Sequence, residues 1–195
     1  GGVLETPREY IEFVRRVCDE KDILLIFDEV QTGVGRTGRL FAYETVGVKP
    51  DILTTAKGIG GGLPMGACLC TEVLGNTLTA GTHGTTFGGN PVACAGSLAV
   101  LERMDDAFLQ SVREKGTYIR EKLESFTEVQ EIRGRGLMLG IDLKTKKAGE
   151  IAAKCCEKGL LILTAKSALR MLPPLTITYD EIDKGLSVLE SVLCE

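Results

Sequence analysis

Two residues stand where they could do covalent and acid–base chemistry together. Asp28 closes the apolar run Ile23-Leu24-Leu25-Ile26-Phe27, and Lys57 follows Ile52-Leu53-Thr54-Thr55-Ala56. A short apolar run bounded by turn residues predicts a buried strand, and sheets buried on both faces are usually parallel. Asp28 then sits at a strand's carboxyl end, where open α/β sheets bind ligands. A second strand over Ile52–Thr55 delivers Lys57 just beyond its own end. A carboxylate and an amine facing each other across one cleft suit a cofactor held as a Schiff base, because a lysine becomes nucleophilic once its surroundings lower its pKa. Alone, Lys57 reads as a solvated loop lysine; the two strand ends, the glycines at 58 and 60–62 and Asp28 raise it above that. Glu29 competes with Asp28, and strand alternation lets only one of them face the cleft.

The surrounding stretches are rich in glycine and hydroxyl groups. Gly33-Val34-Gly35-Arg36-Thr37-Gly38 matches the dinucleotide fingerprint in letters. That fingerprint needs its first glycine at a strand's end and a long helix opening on its last. Here Asp28 to Thr32 intervene and only Leu40 to Val46 follows before Pro50, so a turn is expected. The glycines of 58–62 would let backbone approach a bulky planar ligand. Thr77 to Asn90 has no periodicity and is expected to be a long loop, a feature that is often functional. Within it Thr82, Thr85 and Thr86 offer hydroxyls suited to a phosphate oxygen, and His83 reads first as a structural hydrogen-bonder.

Three segments together resemble the class-III pyridoxal-phosphate aminotransferases. They are Phe27 to Gly38, Ala56-Lys57-Gly58-Ile59-Gly60-Gly61-Gly62-Leu63-Pro64, and Gly81-Thr82-His83-Gly84-Thr85-Thr86-Phe87-Gly88-Gly89-Asn90-Pro91. The His83 to Pro91 form and Arg170-Met171-Leu172-Pro173-Pro174-Leu175 are most like the branch whose amino donor is acetylornithine. The resemblance covers the whole chain and the C-terminal half of a family member. It implies the last part of a fold-type-I, mostly parallel α/β large domain over residues 1–105, then a small α+β domain over 106–195. It implies Lys57 as the lysine that holds pyridoxal 5′-phosphate, Asp28 on the ring nitrogen, Val30 on the ring face and Gln31 on the ring hydroxyl oxygen. Thr86 becomes a phosphate ligand donated across a homodimer interface, and Arg170 the group that grips a substrate carboxylate. The implied reaction moves the δ-amino group of acetylornithine to 2-oxoglutarate, as in arginine biosynthesis. Ornithine, succinylornithine or 4-aminobutyrate transfer, an aminomutase, and a non-catalytic dimerisation or folding fragment stay open. On this resemblance a Gln-Gly-Glu segment, the phosphate-binding helix start and a ring-stacking aromatic precede Gly1, so the 195-residue chain alone is expected to be a poor enzyme.

Composition narrows the class further. A net charge of −4 gives no basic footprint for nucleic acid, and no stretch approaches membrane-spanning length. Seven cysteines without scaffold or zinc spacing read as reduced thiols in a cytoplasmic setting, and the single histidine leaves no metal cluster. The remaining elements follow from local signals. A helix is expected over Thr6–Lys21 with Thr6 as cap, strands over 52–55 and 66–71, and a helix from Pro91 to Met104 capped by Asn90. A boundary falls at Met104-Asp105-Asp106. Beyond it come a helix over 107–126, a hairpin of 129–133 and 137–143 turning through Gly134-Arg135-Gly136, and a helix over 148–158. Short strands at 160–164 and 168–172 and a closing helix over 180–194, capped by Asp180, complete the chain.

Overall fold

The computed structural model describes residues 2–195. The chain divides into an N-terminal unit, Thr6–Gly35 with Arg39–Phe108, and a C-terminal unit, residues 2–5 with Arg36–Gly38 and Leu109–Glu195.

In the N-terminal unit, helix α1 spans Arg8–Lys21. Its N-cap is Pro7 and no side chain caps it, because Thr6 lies one residue too early to reach the free N–H groups of the first turn. Asp22 ends the helix in a left-handed conformation (φ 53°), and Ile23 N–H donates to Cys18 O at 2.9 Å. Strand β1 is only Ile26–Asp28, shorter than the apolar run that announces it. After a turn-rich segment and the short helix α2, Tyr43–Val46, strand β2 (Ile52–Thr55) pairs parallel with β1, Phe27 opposite Leu53 and Asp28 opposite Thr54. Asp51 fastens the start of this layer: its Oδ2 accepts Leu25 N–H at 2.7 Å and Arg15 of α1 at 2.8 Å. Those two contacts, the backbone one first, hold its carboxyl below the ordinary carboxylate range.

Strand β3, Ala67–Cys70, joins β2 antiparallel, so the three-stranded sheet is mixed where a mostly parallel one is expected. The physical reason is the connection: residues 56–66 form a 3₁₀ turn, Lys57–Gly60, and a return, too short for a crossover helix. Residues 77–90 form the expected loop. Helix α3, Pro91–Leu101, opens as Asn90-Pro91 predicts, with Asn90 Oδ1 accepting Val92 and Ala93 N–H at 3.0 and 3.2 Å.

The C-terminal unit is an antiparallel sheet, order β4-β5-β7-β6, carrying helices. Helix α4 spans Asp106–Glu124, β4 Val129–Arg135, β5 Met138–Leu143 and α5 Ala148–Glu157. Strands β6 (Leu163–Ala165) and β7 (Ala168–Met171) precede helix α6, Tyr179–Leu193. The β4–β5 hairpin is tighter than expected, with Arg135 opposite Met138 and Gly136-Leu137 making the turn. Leu139, Ile141 and Leu169 share one face of the sheet with Val112, Leu123, Leu189 and Val192 of the helices in a core almost closed to solvent. Helix α6 starts on Thr178, not Asp180: Thr178 Oγ1 accepts Glu181 N–H while the Glu181 carboxylate accepts Thr178 N–H, a reciprocal capping box that an aspartate inside the first turn does not form. Residues 2–5 lie along β4, where Glu5 accepts Gly134 N–H at 3.1 Å and Arg135 Nε at 2.6 Å.

Candidate active site

The N-terminal unit brings Asp28 and the turn carrying Lys57 to the carboxyl ends of neighbouring parallel strands. Asp28 is paired in register with Thr54, and Lys57 follows three residues after Thr54, in the 3₁₀ turn beyond the end of β2. The two acids at the β1 terminus are separated by alternation. Glu29 is buried, 3% exposed, its Oε1 accepting Tyr43 N–H at 2.9 Å and its Oε2 accepting the Thr32 hydroxyl. That carboxylate is consumed in holding the following turn. Asp28 faces outward instead, with Oδ1 accepting Val30 N–H at 2.9 Å and the Thr54 hydroxyl 3.5 Å away. Among the described residues its Oδ2 has no partner, so one carboxylate oxygen is free to meet a positively charged ring N–H. Thr54 is a neighbour that reading the chain residue by residue did not single out; only the strand register places it beside Asp28.

Lys57 is exposed, and among the described residues its ammonium forms no hydrogen bond or ion pair. Its backbone is left-handed, φ 51°, which costs a non-glycine residue about 1–2 kcal/mol. Such outliers persist where the surroundings impose them and cluster at functional sites. Val34, in the turn that Glu29 anchors, is likewise left-handed at φ 53° and is buried. A Cβ built on Gly58 would stand 3.3 Å from Val34 Cβ, so the turn after β1 and the turn after β2 are packed directly together. The glycines of 58–62 therefore have a packing role beyond the ligand approach expected of them. A Cβ on Gly61 would stand 2.9 Å from Val100 Cγ2 of α3. The Gly33–Gly38 segment is a turn with no long helix after it, as its context predicts.

Val30 and Gln31 lie half-buried in that same turn, and among the described residues the Gln31 side chain makes no hydrogen bond. In the 77–90 loop the threonines separate. Thr82 Oγ1 donates to Thr79 O at 2.7 Å and Thr85 Oγ1 accepts Gly88 N–H at 3.2 Å, whereas the exposed Thr86 hydroxyl is engaged by no described residue. His83 is exposed in the same loop.

Arg170 belongs to the C-terminal unit, on β7 between Gly140 of β5 and Leu163 of β6. It borders an apolar cavity of about 450 Å³ lined by Leu160, Leu172, Pro173, Ile177 and Ile182, and its Nε is buried without an acceptor. A buried donor with no acceptor is costly, and a carboxylate is the partner a guanidinium fits best. Arg36 fixes the segment that follows: its guanidinium donates to Leu137 O at 3.1 Å and Pro173 O at 2.5 Å, and burial pushes its pKa below the usual arginine range.

All seven cysteines are free thiols, no group among the described residues could hold a metal ion, and no helix is long and apolar enough to cross a membrane. An amine and a carboxylate are carried at the ends of adjacent parallel strands of an α/β layer. The chain belongs to the class-III aminotransferase family, whose model matches residues 1–193. It is 50% identical to the acetylornithine aminotransferase of Caldanaerobacter subterraneus subsp. tengcongensis, with 100% of this chain and 51% of that protein covered. Against the acetylornithine aminotransferase of Haemophilus ducreyi the identity is 46%, with 100% and 50% covered. The crystal structure of N-acetylornithine aminotransferase from Stenotrophomonas maltophilia K279a superposes with a TM-score of 0.90 at 36% identity, over 100% of this chain and 53% of that one. A plasmodial ornithine δ-aminotransferase superposes at 0.87 and 31% identity, over 99% and 51%. The chain thus spans about half the length of the curated relatives it matches. Class-III aminotransferases depend on pyridoxal phosphate, and among the described residues one Asp28 oxygen, the Lys57 amine and the Thr86 hydroxyl are unengaged groups of the kinds that could meet a ring nitrogen, a carbonyl and a phosphate.

Proposed function

We propose that this chain carries the reacting lysine and the carboxylate grip of an aminotransferase that moves the δ-amino group of N2-acetylornithine to 2-oxoglutarate. The observation that carries the reading is the delivery of Asp28 and Lys57, each with an unengaged polar group, at the ends of adjacent parallel strands. The shared name of the relatives at 46–50% identity supports the choice of amino donor.

Pyridoxal phosphate, when bound, supplies the carbonyl that takes up the amino group and the ring that accepts electrons from the substrate carbon. Lys57 would hold that carbonyl through Nζ and, once displaced, carry the proton to and from the substrate carbon. Asp28 would keep the ring nitrogen protonated, since a neighbouring carboxylate favours the charged form of its partner. Val30 would pack on the ring, Gln31 would donate to its hydroxyl oxygen, and Thr86 would bind the phosphate of the partner subunit's cofactor in a homodimer. Arg170 takes a substrate carboxylate in a bidentate grip.

In this reading residues 1–105 are the last part of the cofactor-binding domain and 106–195 a small C-terminal domain, both from the carboxyl-terminal portion of the relatives' length, and the enzyme works in the cytoplasm. The chain by itself is a partial enzyme. The test uses the protein extended to the relatives' full length and loaded with pyridoxal phosphate. Acetylornithine should shift the cofactor's absorption and 2-oxoglutarate should restore it. No shift with acetylornithine, or a much larger one with ornithine or 4-aminobutyrate, refutes the assignment.

A further inference from the structure

We propose that Val34 is a positioning residue for the Lys57 amine, acting through the contact between its side chain and Gly58. The inference rests on the reading that Lys57 holds pyridoxal phosphate.

Val34 stands between Gly33 and Gly35 at φ 53°, in the left-handed region that favours glycine. A β-branched residue there is an outlier, because its Cβ crowds the backbone. The chain nevertheless has valine at this position and buries it to 4% exposure. The turn behind it is fixed. Gly33 N–H donates to Glu29 O at 3.0 Å and Gly35 N–H to Leu40 O at 3.3 Å, while the Glu29 carboxylate accepts from Tyr43 N–H and the Thr32 hydroxyl. A Cβ on Gly33 would stand 2.8 Å from Glu29 O and 2.9 Å from Phe41 Cδ1, so this turn has no room to recede. On the facing side, a Cβ on Gly58 would lie 3.3 Å from Val34 Cβ and 3.6 Å from its Cγ1. Gly58 lies outside the left-handed region, so it is the nearness of Val34, not backbone conformation, that disfavours a side chain there. Lys57 immediately precedes Gly58 and opens a turn closed by long backbone bonds, Ile59 N–H to Ala56 O at 3.3 Å and Gly61 N–H to Gly58 O at 3.2 Å. Two strained residues on neighbouring turns therefore meet at one glycine, and the Val34 side chain sets how far the Lys57 backbone stands from the end of β1. A reacting group misplaced by about 1 Å can lose about a hundredfold in rate, so this spacing bears on the chemistry.

The 195-residue chain and the protein extended to the relatives' full length are each made with Val34→Ala, Val34→Ile, Gly58→Ala, and the two alanine changes combined. In the 195-residue chain without cofactor, Val34→Ala should quicken hydrogen exchange at the Ile59 and Gly61 amides about tenfold and leave the amides of β2 as they were. In the extended protein, Val34→Ala and Gly58→Ala should each weaken pyridoxal phosphate binding about tenfold and lower the share of borohydride-trapped pyridoxyl that falls on Lys57 rather than on other lysines. Val34→Ile keeps both γ carbons and should match the parent. The combined variant should lose less than the product of the two single losses, because the methyl group added at position 58 enters the space the γ carbons leave. Faster exchange throughout β2, unchanged binding and trapping in Val34→Ala, or strictly multiplicative losses in the combined variant would each overturn the proposal. A parent protein that traps no pyridoxyl on Lys57 refutes the catalytic reading and the proposal together; one that does so beside unaffected variants refutes the proposal alone.

Discussion

Replacing Asp28 and Glu29 in turn by alanine should separate a group kept free for chemistry from one spent on folding, although the two are adjacent and chemically alike. The Glu29 carboxylate accepts from Tyr43 N–H and the Thr32 hydroxyl at a site that is 3% exposed. Hydrogen bonds to charged groups contribute about 1.5–3 kcal/mol each, and a buried N–H left without its acceptor adds cost, so Glu29→Ala should lose roughly 3 kcal/mol. With a urea dependence of about 2 kcal/mol per molar, the unfolding midpoint should fall by roughly 1.5 M. Asp28 gives up one N–H contact, from Val30, at an exposed position. Surface changes of that kind stay within about 0.5 kcal/mol, or roughly 0.3 M in midpoint. The assay is urea unfolding followed by far-ultraviolet circular dichroism on the 195-residue chain. In the protein extended to full length, Asp28→Ala should abolish the pyridoxal-phosphate spectrum while leaving the fold in place. Equal destabilisation by the two variants, or a larger loss from Asp28→Ala, would refute the division of labour drawn here.

Arg36→Ala should cost the C-terminal unit roughly 2–4 kcal/mol, since Leu137 O and Pro173 O both lose a charged donor. Arg36→Lys should recover only part, because a point charge cannot reproduce the planar guanidinium; thermal unfolding of the three proteins checks this, and an unchanged midpoint contradicts it. Acid should loosen the chain through Asp51 and Asp142, whose carboxyls are held low by the Leu25 N–H and Arg15 and by Arg133, respectively. A folded pKa below the unfolded one gives stability that is complete above the unfolded value, about 3.9 for aspartate, and is lost as pH falls through the folded value. Asp51→Asn should therefore be less stable than the parent at pH 7, with the gap closing below about pH 4 in urea titrations; a gap that widens in acid contradicts the assignment.

What could be read from the sequence was local. Asn90-Pro91 announced α3 because the cap and first-turn signals concern neighbouring backbone groups. The fingerprint-like Gly33–Gly38 was legible as a turn because its context failed, and Ile52–Thr55 was found as a strand with the expected bounds. The helix caps show the limit of such reading: Thr6 and Asp180 are plausible residue types, but Pro7 and Thr178 hold the positions where geometry lets a helix begin. Thr178 with Glu181 three residues on was a signal available in the sequence. Facts set by pairing were not legible. The antiparallel entry of β3, the register that brings Thr54 to Asp28, and the Val34–Gly58 contact all depend on residues distant in the chain. Alternation said that only one of Asp28 and Glu29 could face the cleft. The contacts of Tyr43 and Thr32 with Glu29, invisible to periodicity, show which one is turned inward. The role of Arg36 is illegible in the sequence for the same reason, since its acceptors lie 101 and 137 positions away.

The most direct measurement is chemical. The protein extended to the relatives' length is incubated with pyridoxal phosphate, reduced with borohydride, digested and mapped by mass spectrometry. A single pyridoxyl adduct on the peptide containing Lys57, lost in Lys57→Ala, is the predicted result. An adduct on another lysine, or none, would contradict the central claim that the turn after β2 presents the reacting amine.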